Sequence, residues 1–142
     1  MSTINLEKLI SMIFATSRLI RERSGNHEKI DPFSILQLET LRYVDEKENP
    51  SMREIADYLC VTAPSVTSLI DTLAKSKLLE RIHDKADRRL VRLAVTPKGK
   101  EALVVGFKKI TKRMQAVLIN LSEKERVDLI MILEKLSQSY SK

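Results

Sequence analysis

Apolar residues recur every three or four positions along most of the chain, and their interruptions mark out six helical segments and one stretch of a different period. Leu6, Leu9, Ile10, Ile13, Phe14 and Ile20, with Met12 and Leu19 spilling onto another face, predict a first helix from about residue 5 to 23. After a polar link, Ser34 and Gln37 have capping-box spacing, and Leu36, Leu38, Leu41 and Val44 carry a second helix that Asn49-Pro50 stops. Ser51 and Glu54 repeat the box and open a short helix that buries Met52, Ile55, Ala56 and Leu59. Cys60-Val61-Thr62 interrupts it. From Ala63 onward Val66, Leu69, Ile70 and Leu73 restore the helical period, with Thr62 placed to cap and Pro64 in the first turn, where a missing N–H costs little.

"LLERI" and "VRLAV" then alternate around "HDKADRR", the period of a two-stranded hairpin with a charged tip. Thr96-Pro97 starts a long helix through Leu103, Val104, Phe107, Ile110, Met114, Val117, Leu118 and Leu121. Ser122 and Glu125 open a last one carrying Val127, Leu129, Ile130, Ile132, Leu133 and Leu136. A short helix, turn and helix followed by a hairpin is the winged helix-turn-helix order, so the expected fold is mostly α, of the α+β kind. Three parts are expected: an N-terminal helix over 1–30, a winged helix-turn-helix over 31–98 and C-terminal helices over 99–142. The first and last helices are apolar over more than one stripe, which predicts burial against something outside their own domain; a second copy of the chain is the simplest partner.

The composition fits this picture and narrows it. At 142 residues, 43% hydrophobic and 31% charged, the chain is one domain's worth of globular protein with room for an appended element. Three Phe, three Tyr and no Trp leave the core to Leu, Ile, Val and Met, which suits helix packing. No membrane-length apolar run and no signal-like N-terminus is present, and a single cysteine, Cys60, fits a reducing compartment, so a cytoplasmic location is expected. Two distant histidines and three glycines offer neither metal-ligand spacing nor a phosphate loop; no enzyme, metal or cofactor is expected.

Charge adds the functional clue. Between Lys75 and Lys100 nine basic residues face three acidic ones, an excess that equals the net +6 of the whole chain. A charge so concentrated suits a local polyanion site. The first turn of the second motif helix offers Thr62, Ala63, Pro64, Ser65, Thr67 and Ser68, small groups that let a helix enter a major groove and touch base edges or phosphates. At the hairpin tip Lys85, Arg88 and Arg89 could reach phosphates and a minor groove, with Asp87 orienting the Arg89 guanidinium. Ser and Thr also serve as ordinary caps, and a charged tip also serves as a solvated turn. A basic wing could equally dock an acidic protein partner, which leaves a winged-helix interaction module as the alternative.

The runs "FSILQLETL", "MREIADYLCVTAPSVTSLIDTLAKSKLLERIHDKADRRLVRLAVTPKGKEAL" and "LSEKE" resemble the MarR (multiple antibiotic resistance regulator) family of winged-helix transcriptional regulators. The resemblance covers about residues 33 to 126. It implies a homodimer knitted by the terminal helices, binding palindromic double-stranded DNA and acting as a repressor, with release by a small phenolic or other anionic effector. It places the wing signature on Asp87, Arg88 and Arg89 and the recognition helix on residues 63–75. A ligand pocket would draw on the first two helices and the start of the fifth, with Phe14, Arg18 and Tyr43 as candidates. One departure stands out: where the family commonly has Gly after the recognition helix, this chain has Lys77, which costs about 1 kcal/mol if the left-handed conformation persists, partly offset by a cation near the helix end. Oxidant-sensing relatives raise a redox role for Cys60, but its place predicts packing into the helix-turn-helix core.

Overall fold

The computed structural model describes residues 3–24 and 35–140. Its elements run α1 (Thr3–Ser24), α2 (Ile35–Lys47), α3 (Met52–Leu59), α4 (Ala63–Lys75), β1 (Leu79–His83), β2 (Val91–Val95), α5 (Pro97–Leu118) and α6 (Glu123–Tyr140). This is a winged helix with added terminal helices, as the periodicity predicts. The chain divides into two compact units, one holding α1 and the chain from Ile110 onward, the other holding α2 through Lys109. Among the described residues no helix is long and apolar enough to cross a membrane.

The core of the second unit is aliphatic. Leu38, Leu41 and Val44 from α2 are buried, as are Ile55 from α3, Val66, Ile70 and Leu73 from α4, Leu79 and Leu93 from the hairpin and Leu103 from α5. Leu36, expected on the same stripe of α2, is exposed, and Met52, Ala56 and Leu59 are only half-buried. Thr40 is the polar member of this core; its hydroxyl donates to the Leu36 carbonyl at 2.7 Å and so enters the interior satisfied.

Capping chemistry fixes most helix boundaries. Ser51 accepts from the Glu54 N–H at 3.2 Å to start α3. Before α6 both halves of the box form: Ser122 Oγ accepts from the Glu125 N–H at 3.1 Å, and the Ser122 N–H donates to Glu125 Oε2 at 2.8 Å. The box expected before α2 involves Ser34, which lies outside the described residues.

The two motif helices end in the same reversal. After α3, the Val61 N–H donates to the Ala56 carbonyl with Cys60 left-handed at φ 55°. After α4, the Leu78 N–H donates to the Leu73 carbonyl with Lys77 left-handed at φ 60°. Lys77 thus adopts the conformation usually given to glycine. Buried Leu73 and Leu78 bracket that turn, and the start of α5 takes up its carbonyls. Lys98 Nζ donates to Ser76, and the Thr96 hydroxyl donates to Lys77 at 2.6 Å. The same reversal corrects the expectation for Cys60. A left-handed residue just past a helix end projects outward, so Cys60 is exposed rather than packed in the core, with its Sγ 3.7 Å from the Asp57 carbonyl.

Gly99 is where α5 passes that turn most closely. A Cβ there would lie 2.1 Å from the Leu78 carbonyl oxygen and 2.7 Å from Val95 Cγ1. Gly99→Ala should therefore destabilise the protein by roughly 3 kcal/mol, despite alanine's better helix propensity, because backbone must move to make room. Urea unfolding measures it, and a variant as stable as the wild type would contradict the close approach.

Candidate nucleic-acid interface

The face offered by α4 is small and hydroxyl-rich. Thr62, Ala63, Pro64, Ser65, Thr67 and Ser68 are all exposed, while Val66 and Ile70 on the opposite side are buried. Thr62 is the N-cap by its backbone, at φ −71° and ψ 155°, but its side chain makes no bond to a helix N–H. Its hydroxyl instead lies 2.9 Å from the Ser65 hydroxyl, which leaves the first-turn N–H groups without the side-chain cap expected of Thr62. Thr67 donates to the Ala63 carbonyl at 3.1 Å, which engages its hydroxyl proton and leaves the oxygen able to accept.

The wing is a five-residue antiparallel pair in which Leu79 opposes Val95, Arg81 opposes Leu93 and His83 opposes Val91. Its base is fastened to the body. The Leu93 N–H donates to the Pro50 carbonyl at 3.0 Å, and Arg92 forms an antiparallel bridge to Ser51, so the segment before α3 adds a stub of a third strand. Arg81 pairs with Asp71, tying β1 to the outer face of α4.

Asp84 and Asp87 shape the loop. Asp84 Oδ1 accepts from the N–H groups of Ala86 at 2.7 Å and Asp87 at 3.2 Å, while its Oδ2 accepts from Arg92 Nε at 3.0 Å. The Arg92 bond, followed by the two N–H bonds, holds the Asp84 carboxyl below its ordinary value against a smaller opposing effect of desolvation. Asp87 accepts from Arg89 three times: from its backbone N–H at 3.0 Å, Nε at 3.1 Å and Nη2 at 3.4 Å. The Arg89 side chain is nevertheless 91% exposed. It is a fork held from one side and open on the other. Lys85 and Arg88 are exposed beside it, with no ion-pair partner among the described residues. The Arg88 carbonyl lies 3.2 Å from His83 Nδ1, closing the loop across its mouth.

Sequence reasoning placed Asp87, Arg88, Arg89 and Lys85 together, and they share one loop. It missed Asp84 and Arg92; the aspartate two and three residues before the N–H groups it accepts is a local turn signal that could have found the first.

Phe14 and Arg18, offered as pocket residues, are exposed on α1 in one unit; Tyr43 lies on α2 in the other. Within its unit Tyr43 stacks on Tyr58 at 4.1 Å between ring centroids. The two rings line a cleft of about 600 Å³ with Glu46, Lys47, Glu54 and Asp57. Burial first, then Glu54, Tyr58 and Asp57, push the Tyr43 phenol above its ordinary value. Among the described residues no group of three or more His, Cys, Asp and Glu could hold a metal ion.

The wing thus carries an exposed arginine held by an aspartate two positions before it, and it follows an exposed hydroxyl-faced helix. The MarR family model matches residues 33–91. Residues 33–91 carry a MarR-family domain. The chain's relatives include the uncharacterised HTH-type transcriptional regulator YsmB of Bacillus subtilis, 33% identical over 95 residues, which covers 67% of this chain and 62% of YsmB. The HTH-type transcriptional repressor MdtR of the same organism is 31% identical over 106 residues, covering 72% of this chain and 66% of MdtR. These matches span less than two thirds of either relative's own length. Among solved structures, Streptococcus pneumoniae FabT in complex with DNA has the same fold, with a TM-score of 0.71 at 21% identity over 98% of this chain and 97% of that one.

For this MarR-family wing the lowered Asp84 value carries a pH consequence. A carboxyl depressed in the folded state stabilises at pH above its unfolded value and loses that contribution as pH falls through the folded one. The bonds that Asp84 makes should hold unchanged from about pH 8 down to pH 5 and loosen only below the ordinary carboxylate range. Carbon-13 titration of the Asp84 carboxyl checks this; a midpoint at or above that of an unstructured aspartate contradicts the Arg92 and N–H bonds.

Proposed function

We propose that the protein is a homodimeric, sequence-specific regulator that binds palindromic double-stranded DNA in the cytoplasm and represses transcription until a small effector releases it. The observation that carries the DNA reading is Arg89, preset by Asp87 and exposed at the tip of the wing. Each protomer places the first turn of α4 in a major groove, where Thr62, Ser65, Thr67 and Ser68 meet base edges and phosphates and the free N–H groups favour a phosphate. Arg89 enters the adjacent minor groove, and Lys85 and Arg88 hold phosphates on either side. The FabT complex with DNA and the repressor role of MdtR support this assignment.

Dimerisation is supported by apolar surface that one chain leaves uncovered. On α1, Leu6, Leu9, Ile10, Met12, Ile13 and Phe14 are 46–65% exposed; on α6, Val127, Ile130, Met131, Ile132, Leu133 and Leu136 are 50–62% exposed. A second copy buries both sets. For the effector, Arg18 on α1 is the cation that suits a phenolic or other anionic molecule, with Phe14 as an apolar neighbour one helical turn away. The cleft beside Tyr43 carries three carboxylates against Lys47 and suits an anion poorly.

DNA binding should fall steeply with salt, and Arg89→Ala should cost about 1–3 kcal/mol per site, measured by fluorescence anisotropy on a duplex selected from a random library. Asp87→Ala should weaken binding too, although it removes a negative charge; stronger binding would mean that Asp87 only repels phosphate. Affinity insensitive to both salt and Arg89→Ala would favour a wing that docks an acidic protein. Separately, Ile130→Glu should convert the dimer to monomer in sedimentation equilibrium, and a monomeric wild type would remove the second copy from the scheme.

A further inference from the structure

Arg89 touches the rest of the protein through Asp87, so its direction depends on what holds Asp87. The bonds run inward in a chain. The Asp87 N–H is held by Asp84 Oδ1, which also takes the Ala86 N–H, and the other Asp84 oxygen is held by Arg92. Arg92 is the half-buried end of this chain, with 30% of its side chain exposed against 91% for Arg89. Its Nη1 lies 3.5 Å from Glu54 Oε1 in the first turn of α3 and 3.5 Å from the Asn49 carbonyl in the link before it. Its backbone carries the bridge to Ser51. One residue therefore meets the wing loop, the first motif helix and the preceding link.

We propose that Arg92 is a positioning residue that sets the aim of Arg89 through a relay of two aspartates, and so controls how strongly the protein reads minor-groove width. The proposal rests on the DNA-binding role assigned to the wing above. The chemistry suits this task. Only a planar guanidinium can give Nε to Asp84 and Nη1 to a carboxylate and a carbonyl in another direction; an ammonium keeps the charge without the fork. Partly exposed ion pairs add little stability singly, but a connected set restricts geometry. Loss of Arg92 leaves the hairpin base buried through Leu79 and Leu93, so the wing stays folded while its tip loses its aim.

The test uses a duplex that the full-length wild-type protein enriches from a random library, synthesised with either A·T or G·C pairs flanking both half-sites. Wild type should prefer the A·T flanks, whose minor groove is narrow. Arg92→Gln should lose about fivefold in affinity for the A·T-flanked duplex and little for the other, so that the ratio between them collapses. Partial unfolding would reduce binding to both duplexes alike and leave the ratio unmoved. Arg92→Lys should fall between, and Asp84→Asn should reproduce Arg92→Gln with no further loss in combination, because both cut one relay. In the DNA-free protein, Arg92→Gln should speed amide exchange at Ala86, Asp87 and Arg89. A ratio kept in Arg92→Gln but lost in Arg89→Ala would overturn the relay and spare the wing reading. If Arg89→Ala also keeps the ratio, both fall together. Equal loss on both duplexes with a salt slope lowered by about one would make Arg92 a direct phosphate contact instead, and would also overturn the relay.

Discussion

A hairpin of two five-residue strands is not stable alone in water, and the function assigned to this protein depends on how the base of that hairpin is fastened. Leu79 and Leu93 are buried among Ile55, Ile70 and Leu73, and the Pro50 carbonyl takes the Leu93 N–H. With the base fixed, a strand rise of about 3.3 Å per residue carries the tip well clear of the body. The loop then needs local bonds to hold one shape, and the two aspartates supply them. Burial anchors the wing, and polar bonding directs it.

The same turn that ends α4 also locates the start of α5. Lys77 in the left-handed region exposes three successive carbonyls, at Ser76, Lys77 and Leu78, and Thr96 and Lys98 take all three. Gly99 then lets the helix backbone lie against Leu78. The cost of a lysine where glycine is easier is thus set against hydrogen bonds from the next helix. The end of α4, the start of the wing and the start of α5 meet at one small junction of backbone.

Much of this was legible in the sequence because it is local. Ser51, Thr96 and Ser122 cap helices through residues three positions on, and Asp87 reaches Arg89 two positions on, so spacing alone carries the chemistry. The alternation of "VRLAV" marked the strand, in which Leu93 is the buried residue. What spacing could not carry were contacts made across the fold. Arg92 reads in sequence as one more cation of a basic run, yet its partners Glu54 and Asn49 arrive from a helix and link far earlier in the chain. Arg81 and Asp71 meet only once β1 has folded back beside α4. Cys60 was misread because its place at the end of the first motif helix suggested a core position, whereas the backbone reversal after α3 decided its exposure.

These pairings change how the basic segment is felt by a polyanion at different distances. Three carboxylates from outside residues 75–100, Asp71, Glu54 and Asp45, pair with Arg81, Arg92 and Lys100, and counting them lowers the segment's +6 to +3. From beyond a Debye length of roughly 8 Å, an approaching duplex responds to that reduced sum. On the proposed DNA-binding reading, contact brings it to Lys85, Arg88 and Arg89, which are exposed on the wing loop. If the wing binds DNA as proposed, encounter rate and residence time are governed by different residues, and a substitution at Asp45 or Asp71 should alter how fast the duplex arrives more than how long it stays.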